Sequence, residues 1–391
     1  MPKLLFLFGT RPEVIKLAPL IHRFRQQPQA FECRVCFTGQ HRELALQAFD
    51  FFGIQPDYDL NLMQEKQHLS GLTAALMTAL EPVLQKENPD LVLVQGDTTT
   101  AFCGALSAYY AGIPVAHVEA GLRTGLIRSP FPEEFNRIAI SKIAAYHFAP
   151  TEAARQNLLR EGIPDAAIAV TGNTGVDALL WAKAHIEAEK SPELEAFQQQ
   201  LDQKNRRIVL VTLHRREHLG AKLDGMRQAL SALAARYSEV LFVLPVHPNP
   251  QVRAALEPLA GLPNMRLIPP LSYEKFVWLL SASFLILTDS GGIQEEAPSL
   301  SKPVVVLRDH TERPEAIEAG TALLAGTAPE GIIEMVSKLM DDSVAYEAMV
   351  ARCVRNPFGD GRACERVVAF VNRVFNEDLS IIPATSTPNN Q

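Results

Sequence analysis

The sequence predicts an α/β protein built as two doubly wound parallel-sheet domains. Short β-rich runs recur along the chain, each followed by a helical pattern, which is the rhythm of βαβ units. Several of these runs are apolar without alternation, as strands covered on both faces must be. The rhythm breaks once, between 173 and 206, where no strand pattern appears and 186–207 is polar and charge-rich. A length of 391 residues suits two domains at roughly 150 residues each.

The first series of strands is read at 4–8, 33–38, 91–95, 114–118, 146–149 and 167–171. The opening run 4–8 has the apolar look of a secretion signal. It is short, however, and is followed by Arg11 and Glu13 rather than by a small-residue cleavage site, so it reads as a buried strand. The run 33–38 holds Cys33-Arg34-Val35-Cys36, a redox spacing. Redox pairs open a helix, where the thiolate is stabilised, so these two read as strand residues. A second series follows at 207–212, 240–245, 265–268, 284–288 and 303–307, with helical stretches such as 70–85 and 225–237 between strands. Two Rossmann-like domains with a cleft between them, residues 1–171 and 172–360, is the economical reading. The helical pattern 361–375 could join either half, and the Ser-, Thr-, Pro- and Asn-rich tail 376–391 reads as disordered.

Composition narrows the function. At 47% hydrophobic and 21% charged, the chain can build real cores and is not wholly disordered. No apolar run approaches the ~18–20 residues of a membrane span. The net charge of −7, with 37 dispersed basic residues, is not that of a protein that draws affinity from nucleic-acid phosphates. An odd count of five cysteines argues against a disulfide scaffold and for a reducing cytoplasm. The ten histidines show no metal-ligand spacing. There is no G-x-x-x-x-G-K-[ST] loop and no G-x-S-x-G elbow, and Gly9 lacks the partner glycines of a dinucleotide fingerprint. His22, His68, His147 and His185 read as structural or exposed, and Trp181 and Trp278 as helix packing.

In open α/β sheets ligands bind beyond the carboxyl ends of the strands, so the segments leaving those ends matter most. After the first strand comes Gly9-Thr10-Arg11-Pro12-Glu13. Thr10 and Glu13 form a capping box and Pro12 suits a first helical turn. Arg11, with Lys16 one turn on, is left for an anion at the helix start. Gln95-Gly96-Asp97-Thr98-Thr99-Thr100 offers Asp97 either as an N-cap or, if a threonine caps, for other work. Glu119, in His117-Val118-Glu119-Ala120-Gly121, ends an apolar strand, where a carboxylate is expensive unless paired or functional; Arg123 is a structural partner within reach. Glu133 and Glu134 open a helix that continues to Arg137 and complement its dipole. Three loops at one sheet edge thus each offer a carboxylate, and such clusters push pKa values apart.

In the second half, Leu213-His214-Arg215-Arg216-Glu217 leaves one strand. Asp289-Ser290-Gly291-Gly292-Ile293-Gln294-Glu295-Glu296 leaves another and enters a helix. Glycines there let backbone approach a diphosphate, and Glu296 is placed to accept from ribose hydroxyls. Arg313, in His310-Thr311-Glu312-Arg313-Pro314, adds a cation after the next strand.

Taken in order with Thr38-Gly39-Gln40-His41-Arg42, these motifs resemble the non-hydrolysing bacterial UDP-N-acetylglucosamine 2-epimerases, over residues 3 to about 375. The resemblance implies a glycosyltransferase-B-like fold whose last helix, 361–375, crosses back to complete the first domain. It also implies a cytoplasmic homodimer acting on a UDP-sugar, with no organic cofactor, no metal, no nucleic acid and no membrane. Asp97, Glu119 and Glu133 are then the acid/base set, with His214 at the diphosphate. Arg11, Ser290, Gly291, Gly292 and Arg313 hold phosphate, Glu296 the ribose, and Phe276 walls the uracil; Lys16 and Arg137 contact substrate. Gln40, His41 and Lys66 match the region where some relatives bind a second UDP-N-acetylglucosamine as activator. Lys66 stands where those relatives carry Arg, and lysine lacks the bidentate fork. His218 and His310 replace a usual Asn and Thr.

Three other readings share many of these motifs. A hydrolysing epimerase would release UDP and free N-acetylmannosamine. A glycosyltransferase of the same fold would explain the nucleotide elements without needing three first-domain carboxylates. A sugar-nucleotide sensor would bind without turnover.

Overall fold

The computed structural model describes residues 1–39, 42–62, 67–201, 206–213, 220–246 and 249–376, with backbone alone at 42–44. Two compact units emerge. The first joins Met1–Ala178 to the chain from Gly361 onward, and the second is Leu179–Asp360. Where the expected boundary lies at 171, the division falls inside the helix Thr174–Ala188.

The first unit holds β1 (Lys3–Phe8), β2 (Glu32–Phe37), β3 (Tyr58–Asp59), β4 (Leu91–Gln95), β5 (Val115–Val118), β6 (Tyr146–Ala149) and β7 (Ile168–Val170). They form one parallel sheet in the order β3-β2-β1-β4-β5-β6-β7. Residues Leu4 to Phe8 are fully buried because helices cover both faces, which is why that run shows no alternation. On one face Leu5, Leu7, Val92 and Val94 pack with Leu76 and Leu80 of the helix Leu69–Glu87 and Ala101 and Ala105 of the helix Thr99–Tyr110. On the other, Phe6 meets Phe24 of the helix Arg11–Arg25, ring centroids 6.0 Å apart.

The helix Ala363–Asn376 belongs to this unit. Phe370 sets its ring against Tyr146 and Phe148 at 5.7 and 5.4 Å. Asp177 accepts the N–H groups of Ala363 (3.1 Å) and Cys364 (2.9 Å) at the helix start, and Arg366 donates to the Thr171 carbonyl. One carboxylate therefore ties the chain just before it leaves the unit to the chain just after it returns.

The second unit holds β8 (Ile208–Thr212), β9 (Leu241–Pro245), β10 (Met265–Ile268), β11 (Leu285–Thr288), β12 (Val304–Val306) and β13 (Ala322–Leu324). They form a parallel sheet in the order β10-β9-β8-β11-β12-β13. Its core gathers Val209, Val211, Phe242, Leu244, Leu285 and Leu287 with Met226, Leu230 and Leu233 of the helix Ala221–Arg236. The expected pair of doubly wound domains is thus observed. The edge strands β3 and β13, two and three residues long, are too short to register as a pattern.

Both sheets reverse direction once. The chain builds outward from β1 to β3, then resumes on the far side of β1 with β4; it does the same around β8 and β11. Ligands of open α/β sheets bind at such reversals. Of the motif-bearing segments, those after β1, β4 and β11 leave the strands at these two points.

Candidate active site

In the first unit the turns after β1 and β4 face each other at the reversal. Thr10 caps the helix Arg11–Arg25 in a capping box with Glu13. Glu13 does more than cap. One carboxylate oxygen accepts the N–H groups of Gly9 (3.1 Å) and Thr10 (2.8 Å), and the other accepts the hydroxyl of Thr98 from the turn after β4, at 2.7 Å. Glu13 is 1% exposed, and burial, opposed by these hydrogen bonds, pushes its pKa up to about 6. Thr98 also caps the helix Thr99–Tyr110 by accepting the N–H of Ala101 at 3.0 Å, which leaves Asp97 out of the capping role.

Asp97 faces Arg137 of the helix Glu133–Ile143. The guanidinium grips one carboxylate oxygen through Nε at 3.0 Å and through Nη2. Its Nη1 goes to Glu134 at 3.1 Å. The amide of Asn136 donates to the Asp97 carbonyl at 2.9 Å, and Nε2 of buried His117 meets the Gly96 carbonyl at 2.7 Å. A carbonyl accepts, so this contact places the proton on Nε2; Nδ1 has no hydrogen-bond partner among the described residues. Burial holds His117 down to about 4.

Glu119 lies just past β5 with φ of +66°, a left-handed conformation that costs a non-glycine residue about 1 kcal/mol or more. Its carboxylate pairs with Lys16 and accepts the Gln95 amide at 2.8 Å. Glu133 opens its helix half-buried, with no hydrogen bond or ion pair to another described residue. Glu134, beside it and buried, accepts the N–H groups of Thr124 (3.0 Å) and Gly125 (3.1 Å).

In the second unit β11 runs into buried Asp289, and Ser290 stands at the N-cap position of the short helix Gly291–Glu296 without a side-chain capping bond. Thr212 and Thr288 share a hydroxyl contact of 2.6 Å across β8 and β11. The Ser290 N–H donates to the Thr288 hydroxyl at 2.9 Å. Arg313 pairs through Nε with Glu295, which is 2% exposed, and its Nη1 donates to the Glu312 carbonyl at 3.0 Å. Its Nη2 lies 3.5 Å from where a Cβ on Gly291 would sit, so the guanidinium and the glycine turn border one space. Thr311 donates to Gln294 (2.7 Å), and Gln294 to the Ser290 carbonyl (3.1 Å). The arrangement offers a cation and helix-start N–H groups together, the chemistry that suits a phosphate.

A family model described as UDP-N-acetylglucosamine 2-epimerase matches residues 23–372. The UDP-N-acetylglucosamine 2-epimerase of Yersinia pestis is 50% identical over 371 residues, covering 94% of this chain and 97% of the relative. That of Escherichia coli K12 is 49% identical over 369 residues, again 94% and 97%. The crystal structure of UDP-GlcNAc 2-epimerase from Neisseria meningitidis bound to UDP-GlcNAc superimposes with a TM-score of 0.88 at 44% identity, covering 94% of this chain and 99% of that one. This chain belongs to the UDP-N-acetylglucosamine 2-epimerase family.

Within this epimerase-family chain, the first unit pairs Lys16 with Glu119 and Arg137 with Asp97, with Arg11 opening the same helix as Lys16 and Glu133 the same helix as Arg137. The reversal in the second brings together Ser290, Gly291, Gly292, Glu296 and Arg313. Phe276 sits half-buried on the helix Tyr273–Ala282, which follows β10. His214, Gln40, His41 and Lys66, with His218, lie outside the described residues, as does the tail from 377. One expected pairing is corrected: Arg123 does not partner Glu119. It donates to Glu161 at 2.6 and 2.9 Å and to Ser141 at 2.9 Å, because the chain turns at Gly121 and carries Arg123 away, while Lys16 arrives from the neighbouring helix. Sequence reasoning missed Glu13, Gln95, His117, Asn136 and Glu295 as organisers of the site. Glu13 was visible as a cap, but its partner Thr98 lies 85 residues on.

The Cys33 and Cys36 thiols are held by burial at about 11 and about 12, far from a reactive thiolate. Among the described residues no helix is long and apolar enough to cross a membrane.

Proposed function

We propose that this protein interconverts UDP-N-acetylglucosamine and UDP-N-acetylmannosamine at C2 without net hydrolysis. Carbon 2 has no adjacent carbonyl, so simple proton abstraction and return is too costly. Elimination solves this: a base takes the C2 proton as UDP leaves C1, giving 2-acetamidoglucal. A proton then returns on the opposite face and UDP adds back at C1. The route needs carboxylates near C2 and a cationic, N–H-rich nest for the departing diphosphate.

The observation that carries this reading is the pair Asp97 and Glu119, each held on a cation at the reversal of the first sheet. With Glu133 they form the acid/base set, and Lys16 and Arg137 balance their charge on the substrate side. Arg11, Ser290, Gly291, Gly292 and Arg313 take the diphosphate with help from His214, Glu296 takes the ribose, and Phe276 lines the uracil. The working form is a homodimer without metal or organic cofactor, supplying N-acetylmannosamine units for surface polysaccharide.

Incubation with UDP-N-acetylglucosamine alone in D₂O, followed by proton NMR, tests the reading. UDP-N-acetylmannosamine growing in with deuterium at C2 and little free UDP is expected. Free UDP matched by free N-acetylmannosamine would assign the hydrolysing reaction instead. No exchange at all would refute epimerase chemistry.

A further inference from the structure

Glu13 enters no step of the reaction above, yet its carboxylate is bonded to both turns at the reversal of the first sheet. Donors from both turns converge on its two oxygens: the Gly9 and Thr10 N–H groups and the Thr10 hydroxyl from the turn that leads into Arg11, and the Thr98 hydroxyl from the turn that carries Asp97. The Thr98 hydroxyl accepts the Ala101 N–H and donates its own proton to Glu13, so it links the helix start to the carboxylate. The turns are also pressed together from below. A Cβ on Gly9 would lie 2.3 Å from the Thr38 hydroxyl and 2.5 Å from that of Thr100.

We propose that Glu13 is a positioning residue: its charged carboxylate fixes the Asp97 turn against the Arg11 turn, and turnover requires that charge. The inference rests on the functional reading given above. Its physical basis is donor counting. An ionised carboxylate is acceptor-only and satisfies all of these donors. A protonated carboxyl, or the amide of glutamine, turns one of its two ends into a donor, so the donors on that end must turn away or reverse and the charge-assisted bonds that hold the two turns together are weakened.

Charged and titratable groups stand on the described segments that adjoin Glu13. Its own helix brings Arg11 and Lys16, the turn after β4 brings Asp97, and the end of β5 brings His117 and Glu119; β2 and the helix Thr99–Tyr110 contribute the hydroxyls of Thr38 and Thr100. Burial, rather than any of these charges, sets the direction of its shift. Because the folded pKa is about 6, the clamp is charged above that pH and discharged below it.

The test is a pH profile of kcat and KM for C2 epimerisation by the full chain. Wild type should lose kcat on the acid side with a limb near pH 6. Glu13→Gln should lower kcat at pH 8 about ten- to a hundredfold with KM within about twofold, as expected when a reacting group is displaced by about an ångström, and it should abolish the limb. Thr98→Ala removes one hydrogen bond to the charged form, so the limb should move to higher pH, and Thr98→Ser should return it. A Glu13→Gln enzyme with wild-type kcat at pH 8, or one that keeps the limb, overturns the proposal. Should that variant not fold, an unmoved limb in Thr98→Ala overturns it. Wild type with no epimerisation would instead overturn the functional reading, before any variant is compared.

Discussion

Acid should unfold the first unit through two histidines that touch no solvent. His117 and His147 stand side by side on β5 and β6, paired in register, with exposures of 0% and 1%. Desolvation lowers them from 6.5 to about 4 and about 3. A depressed histidine is neutral in the fold while the unfolded chain binds the proton first. Its contribution is therefore present above pH 6.5 and lost as pH falls toward the folded value. At pH 5 each histidine has given up about 2 kcal/mol by this linkage, or about 4 kcal/mol for the pair. Glu13 works the other way. Raised from 4.5 to about 6, it favours the fold below 4.5 and loses that as pH rises through 6, so it returns about 1 kcal/mol between pH 7 and 5. The net loss is about 3 kcal/mol. Both tryptophans, Trp181 and Trp278, lie in the second unit, so their fluorescence would follow the other unit. Hydrogen exchange of β5 and β6 amides, corrected for intrinsic rates, reports the correct one. Gln at position 117 can still donate to the Gly96 carbonyl, and His117→Gln should remove about 2 kcal/mol of the pH dependence. Equal protection of wild type at pH 7.5 and pH 5, or an unchanged dependence in His117→Gln, would refute the reasoning.

Asp97→Asn keeps an oxygen for Arg137 but cannot exchange a proton near neutral pH. Epimerisation should fall at least a hundredfold, in line with loss of general acid–base catalysis, while UDP affinity by calorimetry stays within about twofold. Gly121 has φ of +88°, and a Cβ there would meet the Ala154 carbonyl oxygen at 2.3 Å; Gly121→Ala should cost about 2 kcal/mol or more, and wild-type melting of this variant would contradict the packing. Asp177→Ala leaves the Ala363 and Cys364 N–H groups without their acceptor, a loss of about 1 kcal/mol, and protease cleavage rising within 363–376 would show it. Unchanged protection of that helix would mean that Phe370 packing alone holds it.

The local grammar of this chain was readable because each motif announces itself within a few residues. The apolar runs marked β1, β4 and β8, the Thr10–Glu13 spacing marked a helix start, and threonines after Asp97 freed it from capping. What could not be read was pairing through space. Lys16 meets Glu119 from 103 residues away and Arg137 meets Asp97 from 40, and only the strand order sets those elements beside each other. Expecting Arg123 to hold Glu119 failed for this reason: nearness in sequence was taken for nearness in space, across a glycine that turns the chain. His117 looked like one more strand residue because a buried histidine is recognised by the carbonyl it meets, and Gly96 lies in the turn after a different strand. The left-handed backbone at Glu119 gave no warning either, since nothing about a glutamate signals positive φ.

The Arg137 guanidinium bears on what Asp97 can do. All three of its nitrogens are committed to protein carboxylates, two to Asp97 and one to Glu134. It therefore aims Asp97 first, with three of its five N–H groups spent on the two carboxylates. Lysine at position 137 would keep the charge and lose the fork. The backbone under Asp97 is held as firmly, by His117 on Gly96, Asn136 on Asp97 itself and Glu13 on Thr98. Four side chains from three elements thus fix one turn. A catalytic group must be held to within roughly 0.5 Å of its working geometry, and no single one of these bonds, at about 1 kcal/mol net, would hold it there. Shared among four anchors, the turn can lose one and remain folded while Asp97 drifts out of line, so substitutions here should damage turnover before they damage stability.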